Sequence, residues 1–167
     1  MAAKAKPSVG RQVLDILIQA GKTIATAESC TGGLIAAALT DIPGSSAAVY
    51  GGFITYSNSA KARMIQVPPR LIRDYGAVSN QVARAMADGA RNTARTDLAV
   101  SATGIAGPGG GSEKKPVGLV YIAVSTELAT VVIEHRFGDI GRAEIRQATV
   151  AAALDLILQV LTTDEAK

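Results

Sequence analysis

Apolar residues follow two patterns along this chain, helical spacing in some segments and short β-branched runs in others. These patterns predict where helices and strands lie. Val13, Ile16 and Leu17 share one helix face ahead of Gly21, which predicts a helix over 9–20. Runs rich in β-branched and aromatic residues predict strands instead. The other predicted helices cover 32–39, 60–65, 80–93 and 141–161. The predicted strands cover 23–27, 49–56, 98–102, 117–125 and 129–137.

The order of these elements predicts an α/β fold, since strands and helices follow one another in turn. We expect a three-layer α/β/α sandwich on a mixed sheet of about five strands, the last two forming an antiparallel pair. Ser79 is the predicted cap of helix 80–93, and Asn58 or Ser59 that of helix 60–65. The pattern shows no repeat and no linker, so residues 9–162 are predicted to form a single domain after a tail at 1–8.

The composition narrows the class of protein. A chain of 167 residues, 48% of them hydrophobic, is long enough to bury one core. One cysteine and no recognisable signal peptide predict a cytoplasmic protein. No apolar run approaches the roughly 18 residues that span a bilayer, so no membrane partner is expected. The net charge of +3 is dispersed and tryptophan is absent, so no nucleic-acid partner is expected either.

The first candidate site is the segment Ala27-Glu28-Ser29-Cys30-Thr31-Gly32-Gly33, between a predicted strand and a predicted helix. Ser29, Cys30 and Thr31 are possible nucleophiles, and the two glycines let a ligand approach the backbone closely. Amides at a helix start lack partners within the helix and favour an anion or a developing oxyanion. The segment is a candidate acyl-transfer site, although an ordinary helix start capped by Ser29 or Thr31 has the same pattern.

The second candidate is Tyr56-Ser57-Asn58-Ser59-Ala60-Lys61, which also follows a strand and opens a helix. Lys61 falls in the first helical turn, where the helix dipole disfavours its charge and lowers its pKa. A neutral lysine can take a proton from a serine hydroxyl, and Tyr56 can hold that lysine or pass a proton. The alternative is a solvated surface lysine beside a buried strand tyrosine.

A glycine-rich loop at 103–115 is the third candidate. Many glycines after a strand can cradle a phosphate with backbone amides, but the spacing is not that of a Walker A loop. An inert surface loop is the alternative. In a compact domain, however, a loop of this length is more often functional or disordered.

The fourth candidate is a pair of arginines, Arg142 and Arg146, four residues apart at the start of the last predicted helix. The positive end of the helix dipole repels cations there, and a bound anionic ligand would reduce this repulsion. The alternative is a solvated helix face on which Glu144 and Asp139 partly balance the charge. No cluster of His, Cys and carboxylate residues has metal-ligand spacing, so neither a metal nor a cofactor is expected.

Three of these segments together resemble the CinA C-terminal domain, the competence/damage-inducible protein family. They are 27–33, Tyr56-Ser57-Asn58 with Lys61, and 102–108 with 115–121. The segments occur in the expected order, and the resemblance runs from about Val13 to Leu161. The larger N-terminal domain of two-domain members is absent from this sequence. Stand-alone members of the family include nicotinamide-nucleotide amidohydrolase, also called NMN deamidase.

This resemblance implies a serine–lysine amidohydrolase of pyridine nucleotide salvage. Ser29 would attack the carboxamide of nicotinamide mononucleotide (NMN), with Lys61 as general base and Tyr56 assisting, to give nicotinate mononucleotide and ammonia. The physical pattern adds amides 31–33 as the oxyanion hole, and the glycine-rich loop with Arg142 or Arg146 as the phosphate site. The predicted substrate-binding residues are Glu28, Cys30, Thr31, Gly32, Gly33, Thr103, Gly104, Gly107, Gly109, Gly110, Arg142 and Arg146.

Two other classes of function stay open at the level of the sequence. One is a non-catalytic module that binds a phosphate ligand or a partner in a competence or DNA-damage assembly. The other is an amidase that uses Cys30, which is the better intrinsic nucleophile. A homo-oligomer is predicted because the last helix is apolar on two sides. One stripe contains Val150, Leu154, Ile157, Leu158 and Leu161, and the other Ile145, Ala148, Ala152, Leu156 and Val160.

Overall fold

The structure, a computed structural model, describes residues 7–164, and its framework is one five-stranded mixed sheet. The strands are β1 Ile24–Glu28, β2 Val49–Ile54, β3 Leu98–Gly104, β4 Leu119–Ser125 and β5 Thr130–Arg136. Their spatial order is β2-β1-β3-β4-β5. Strand β1 pairs in parallel with β2 and β3, whereas β4 pairs antiparallel with β3 and β5. The predicted antiparallel pair at the end of the chain is confirmed.

Helices cover both faces of this sheet. They are α1 Val9–Ala20, α2 Leu34–Thr40, α3 Asn58–Ile65, α4 Pro69–Tyr75, α5 Asn80–Ala94 and α6 Arg142–Asp164, with a 3-10 turn at Ser45–Ala47. Helices α1, α2 and α6 pack together over the larger apolar cluster. Helices α3 and α4 pack on α5, which covers the opposite face of the sheet. The predicted three-layer α/β/α sandwich is therefore confirmed.

Serine side chains cap the N-termini of three helices, and the cap of α3 differs from the predicted one. Ser79 accepts a hydrogen bond from the Val82 amide and caps α5, as predicted. Helix α3 begins earlier than predicted, so its cap is Ser57 rather than Asn58 or Ser59. Of the predicted tail at 1–8, residues 1–6 lie outside the described part of the chain, and Ser8 caps α1.

The sequence pattern does not predict helix α4, because Pro68-Pro69 indicates a break in the preceding helix. Pro69 instead occupies the first turn of α4, where the missing N–H of a proline costs nothing and its fixed φ suits a helix.

The expectation that no apolar run is long enough to span a bilayer is wrong for the last helix. The stretch Arg142–Thr163 of α6 is long and apolar enough to cross a membrane by length and composition alone, with a mean hydropathy of 1.3. Its apolar side chains pack on α1, α2 and the sheet, and the core of a soluble domain passes the same test. Ile145, Ile157 and Leu161 are buried there. Packing within a single chain thus accounts for much of both apolar stripes.

The three parallel strands end at the same edge of the sheet. Glu28 lies opposite Ile54 on β2 and Ala102 on β3, so the chain leaves all three strands at one level. Ligands gather at the carboxyl ends of strands in such sheets. The segments predicted to carry chemistry after β1, β2 and β3 therefore meet at this edge.

Candidate active site

Ser29 is the first residue after β1, and backbone hydrogen bonds fix its place. Its amide donates to the carbonyl of Ala102 at 3.0 Å, and its own carbonyl accepts from the Gly32 amide at 3.2 Å. We call residues 29–33 the nucleophile turn. The Ser29 side chain is buried but lines a cavity of about 270 Å³ at the carboxyl edge of the sheet.

Lys61 reaches the same cavity from the first turn of α3, and its side chain is only 1% exposed. Its Nζ lies 3.0 Å from Ser29 Oγ, 2.9 Å from the Thr55 carbonyl oxygen and 3.3 Å from that of Tyr56. None of the ion pairs among residues 7–164 involves Lys61. Burial lowers the pKa of Lys61 below its ordinary value, because the charged form loses water without gaining a carboxylate.

The contacts of Lys61 fit both protonation states of the amine. An amine has two N–H donors and one lone pair, and the site offers two carbonyl oxygens and one hydroxyl. In the charged form, the Ser29 hydroxyl oxygen accepts the third N–H of the lysine. In the neutral form, which burial favours, the two carbonyls accept the N–H groups and the lone pair is left for the Ser29 hydroxyl proton. This is the arrangement required of a general base and its nucleophile.

Tyr56 differs from the expectation in how it holds the lysine. Its backbone carbonyl contacts Lys61 Nζ, whereas its side chain is 61% exposed. The phenol oxygen accepts a hydrogen bond from Arg142 Nη2 at 3.1 Å. The phenol therefore lies at the rim of the cavity. Tyr56 holds the lysine through its backbone carbonyl and not, as expected, through its side chain.

The glycine-rich loop forms the opposite wall of the cavity. Thr103 Oγ1 donates to the Ala77 carbonyl at 2.9 Å, and Lys115 Nζ donates to the Val78 carbonyl at 2.8 Å, so the loop is tied to the segment before α5. The lining residues are Ser29, Cys30, Tyr56, Asn58, Lys61, Ala77, Val78, Thr103, Gly104, Ile105, Ala106, Gly107, Gly109, Gly110 and Arg142. No carboxylate is among these described lining residues, so the cavity suits an anionic ligand.

Five predicted substrate-binding residues do not line this cavity, namely Glu28, Thr31, Gly32, Gly33 and Arg146. Glu28 is 1% exposed, and its carboxyl oxygens accept from the amides of Gly33, Ile35 and Ala36. Glu28 therefore stabilises the start of α2, and its side chain is too buried to contact a substrate. The Thr31 side chain is fully buried. The structure therefore places the side chains of Glu28, Thr31 and Arg146 outside the lining of this cavity, together with Gly32 and Gly33.

The two arginines of α6 point to different partners. Arg142 lines the cavity, and its Nη1 donates to the Gly107 carbonyl at 2.8 Å. Arg146 instead donates to the carbonyls of Cys30 and Thr31, at 3.1 and 3.0 Å, behind the nucleophile turn. Of the two, only Arg142 lines the cavity.

The predicted oxyanion hole at 31–33 also needs correction. The Gly32 amide donates to the Ser29 carbonyl, and the Gly33 amide donates to Glu28. The Thr31 amide donates none of the hydrogen bonds found within the described part of the chain. It is the one amide of the three that stays a candidate.

Cys30 lies beside Ser29, but its environment suits packing better than nucleophilic attack. Burial raises the pKa of the Cys30 thiol to about 11. We expect iodoacetamide to alkylate Cys30 in the folded protein roughly 100-fold more slowly than free cysteine at pH 7.5, because the thiolate is scarce. Mass spectrometry of the alkylated chain measures this rate. Denaturant should restore the ordinary rate, and fast alkylation of the folded chain would contradict the assignment.

Sequence reasoning missed several lining residues. Asn58 belongs to the second candidate segment but has no predicted role at the site beyond a possible helix cap, and Ala77 and Val78 carry no chemical group that would single them out. Ile105 and Ala106 lie inside the predicted loop, whose position after β3 was the available signal. Within residues 7–164, no group of three or more His, Cys, Asp or Glu side chains is placed to hold a metal ion.

Comparisons with known proteins agree on one family. The sequence model of the CinA C-terminal domain matches residues 6–161. A CinA-like protein of Parasynechococcus marenigrum is 50% identical over 149 residues, which cover 89% of this chain and 36% of that protein. A CinA-like protein of Geobacter sulfurreducens is 47% identical over 163 residues, which cover 98% of this chain and 39% of that protein. This chain thus spans between a third and two-fifths of the length of these two curated relatives.

Solved structures agree with the sequence comparison. The competence/damage-inducible protein CihA of Agrobacterium tumefaciens superposes with a TM-score of 0.89 at 48% identity, covering 96% of this chain and 99% of that one. A CinA superfamily protein of Escherichia coli superposes with a TM-score of 0.86 at 29% identity, covering 96% and 94%. The fold and site define an α/β domain with a buried serine–lysine pair. The chain belongs to the CinA C-terminal domain family, as its motifs indicate.

Proposed function

We propose that this protein hydrolyses the carboxamide of NMN to nicotinate mononucleotide and ammonia, in pyridine nucleotide salvage. The observation that carries the proposal is the 3.0 Å contact between Ser29 Oγ and Lys61 Nζ in a cavity without a carboxylate. The sequence resemblance to stand-alone NMN deamidases supplies the substrate. The names of the relatives say only CinA-like or competence-damage inducible.

In the proposed mechanism, Ser29 Oγ attacks the carboxamide carbon while Lys61 Nζ takes the hydroxyl proton. The lysine then gives that proton to the departing nitrogen, and ammonia leaves an acyl-enzyme. A water molecule attacks the acyl carbon, again losing a proton to Lys61, and nicotinate mononucleotide departs as Ser29 regains its proton. The Thr31 amide is proposed to stabilise the oxyanion of each tetrahedral intermediate.

An ammonia-release assay with NMN tests this proposal directly. We expect turnover in buffer that contains a chelator, at the same rate as without it, since each proposed step uses only side chains, backbone groups and water. Nicotinamide-containing analogues in the same assay define the substrate range. No ammonia from NMN at high enzyme concentration would refute the proposal and favour a non-catalytic binding module.

Arg142 is the proposed phosphate ligand, because its guanidinium lies at the rim of the cavity beside the glycine-rich loop. We expect Arg142→Ala to raise the KM for NMN by roughly ten- to 150-fold, the equivalent of one charge-assisted contact. Steady-state kinetics with NMN and with nicotinamide riboside separate the two possible roles. The riboside lacks the phosphate and should be little affected, so equal losses for both substrates would place Arg142 elsewhere in the site.

We also infer a homo-oligomer, from the part of the second α6 stripe, Leu156 and Val160, that borders a surface cavity beside β5. A cavity of about 210 Å³ lies between β5 and α6 and is mostly apolar, with Val131, Ile133, Leu156 and Val160 in its lining. Val131 is 40% exposed there. Light scattering at micromolar concentration measures the mass, and a clean monomer would contradict this inference.

A further inference from the structure

Arg146 makes an unusual pair of contacts for an arginine beside an active site. It lies one helical turn beyond Arg142 on α6, and its side chain is half-buried. Its Nε donates to the Cys30 carbonyl at 3.1 Å and its Nη2 to the Thr31 carbonyl at 3.0 Å. None of the ion pairs within residues 7–164 involves it. The guanidinium thus donates two charge-assisted hydrogen bonds to consecutive carbonyls of the nucleophile turn.

Because Arg146 holds the carbonyl of the Cys30–Thr31 peptide, it also fixes the direction of the N–H group of that peptide. The peptide bond between Cys30 and Thr31 is trans, because the cis bond found among the described residues joins Gly107 to Pro108. In a planar trans peptide the C=O and N–H bonds point in opposite directions. Holding the Cys30 carbonyl toward α6 therefore directs the Thr31 N–H away from α6.

The neighbouring amides have other partners. The amides of Gly32 and Gly33 are held by the Ser29 carbonyl and by Glu28. The Thr31 amide is thus the donor of this trio with no partner found in the described part of the chain. A cation at the carbonyl end of the same peptide also polarises it, which makes its N–H a stronger donor.

We propose that Arg146 is a positioning residue, which orients and polarises the Cys30–Thr31 peptide so that the Thr31 N–H can stabilise the developing oxyanion. Arg146 acts through the backbone and does not touch the substrate. The inference rests on the proposed amidase function, and it gives Arg142 and Arg146 separate roles. Arg142 serves binding, whereas Arg146 serves the chemical step.

Kinetics of two variants test this inference. Arg146→Met removes the donors and keeps an apolar stem, and we expect kcat per folded molecule to fall about 10- to 100-fold, less than or equal to the loss of a whole oxyanion donor. The KM for NMN should change less than about twofold, because the contact strengthens only the transition state. Arg146→Lys keeps the charge with a single donor group, so it should recover part of the lost kcat.

The controls separate positioning from folding and from the proposed function. Arg84→Met is a matched variant, since Arg84 on α5 also donates to a backbone carbonyl, that of Thr130, away from the cavity. It should leave kcat unchanged, with the folded fraction of each variant measured by circular dichroism. If Arg146→Met does not fold, Arg146→Lys decides, with a reduced kcat and an unchanged KM expected.

Two results would overturn the inference while the proposed function stands. One is a kcat per folded molecule close to that of the parent protein in every variant that folds. The other is a loss confined to KM, which would make Arg146 a substrate ligand. A parent protein that releases no ammonia from NMN overturns the proposed function instead, and this inference with it.

Discussion

Ser29→Ala and Lys61→Ala are each expected to lower kcat for NMN by roughly ten-thousand-fold or more. The first removes the atom that forms the acyl-enzyme. The second leaves the Ser29 hydroxyl without the base that lies 3.0 Å away. Lys61→Arg should be equally inactive, because a guanidinium stays protonated at any working pH. Ammonia release measures each loss.

The losses should not add in the double variant, since the serine and the lysine act as one unit. Ser101→Ala is a suitable control, because Ser101 is also a buried serine at the sheet but bonds to the Ala83 carbonyl on α5. Cys30→Ala should keep substantial activity. If Cys30→Ala were inactive while Ser29→Ala turned over normally, the cysteine mechanism would replace the serine–lysine one.

The second large effect concerns pH. Burial lowers the pKa of Lys61, so its neutral form becomes abundant at a lower pH than for a solvated lysine. With an ordinary pKa, only about 0.1% of a lysine is neutral near pH 7.4. We expect kcat/KM to rise about tenfold per pH unit below the lowered pKa and to level off above it. Over three units below that pKa, the change is about a thousandfold.

The measurement needs a substrate that does not itself titrate in the same range. The phosphate of NMN has a second pKa of about 6, as other phosphomonoesters do. A parallel profile with nicotinamide riboside removes that titration, so a rise shared by both substrates belongs to the enzyme. A rise centred at or above the ordinary lysine value would contradict the assignment of Lys61 as a base activated by burial.

Much of the fold followed from local pattern. The boundaries of α1 were predicted because its apolar spacing and Gly21 are both local signals. Strand β3 was predicted too short by two residues, since Thr103 and Gly104 look like the start of a loop. Helix α4 escaped prediction because its prolines suggest a break, while its Pro69 in fact starts a helix.

The partners of the candidate site were harder to predict than its central pair. Ser29 and Lys61 each follow a strand that ends at the same edge of the sheet, so topology alone brings them near one another. Glu28 and Arg146 were singled out for their charge and expected to touch a ligand. Each instead satisfies backbone groups, and the partner of Arg146 lies 116 residues away along the chain. Nothing in local spacing specifies such a contact.

That long separation has a consequence for synthesis. The serine and the lysine leave the ribosome well before α6, whose two arginines contact the nucleophile turn, the tyrosine at the rim and the glycine-rich loop. The chain segment that holds Ser29 and Lys61 is therefore made before the helix whose arginines hold the nucleophile turn. Under the proposed function, full activity therefore requires α6 to have docked, and a chain without this helix should hydrolyse NMN more slowly.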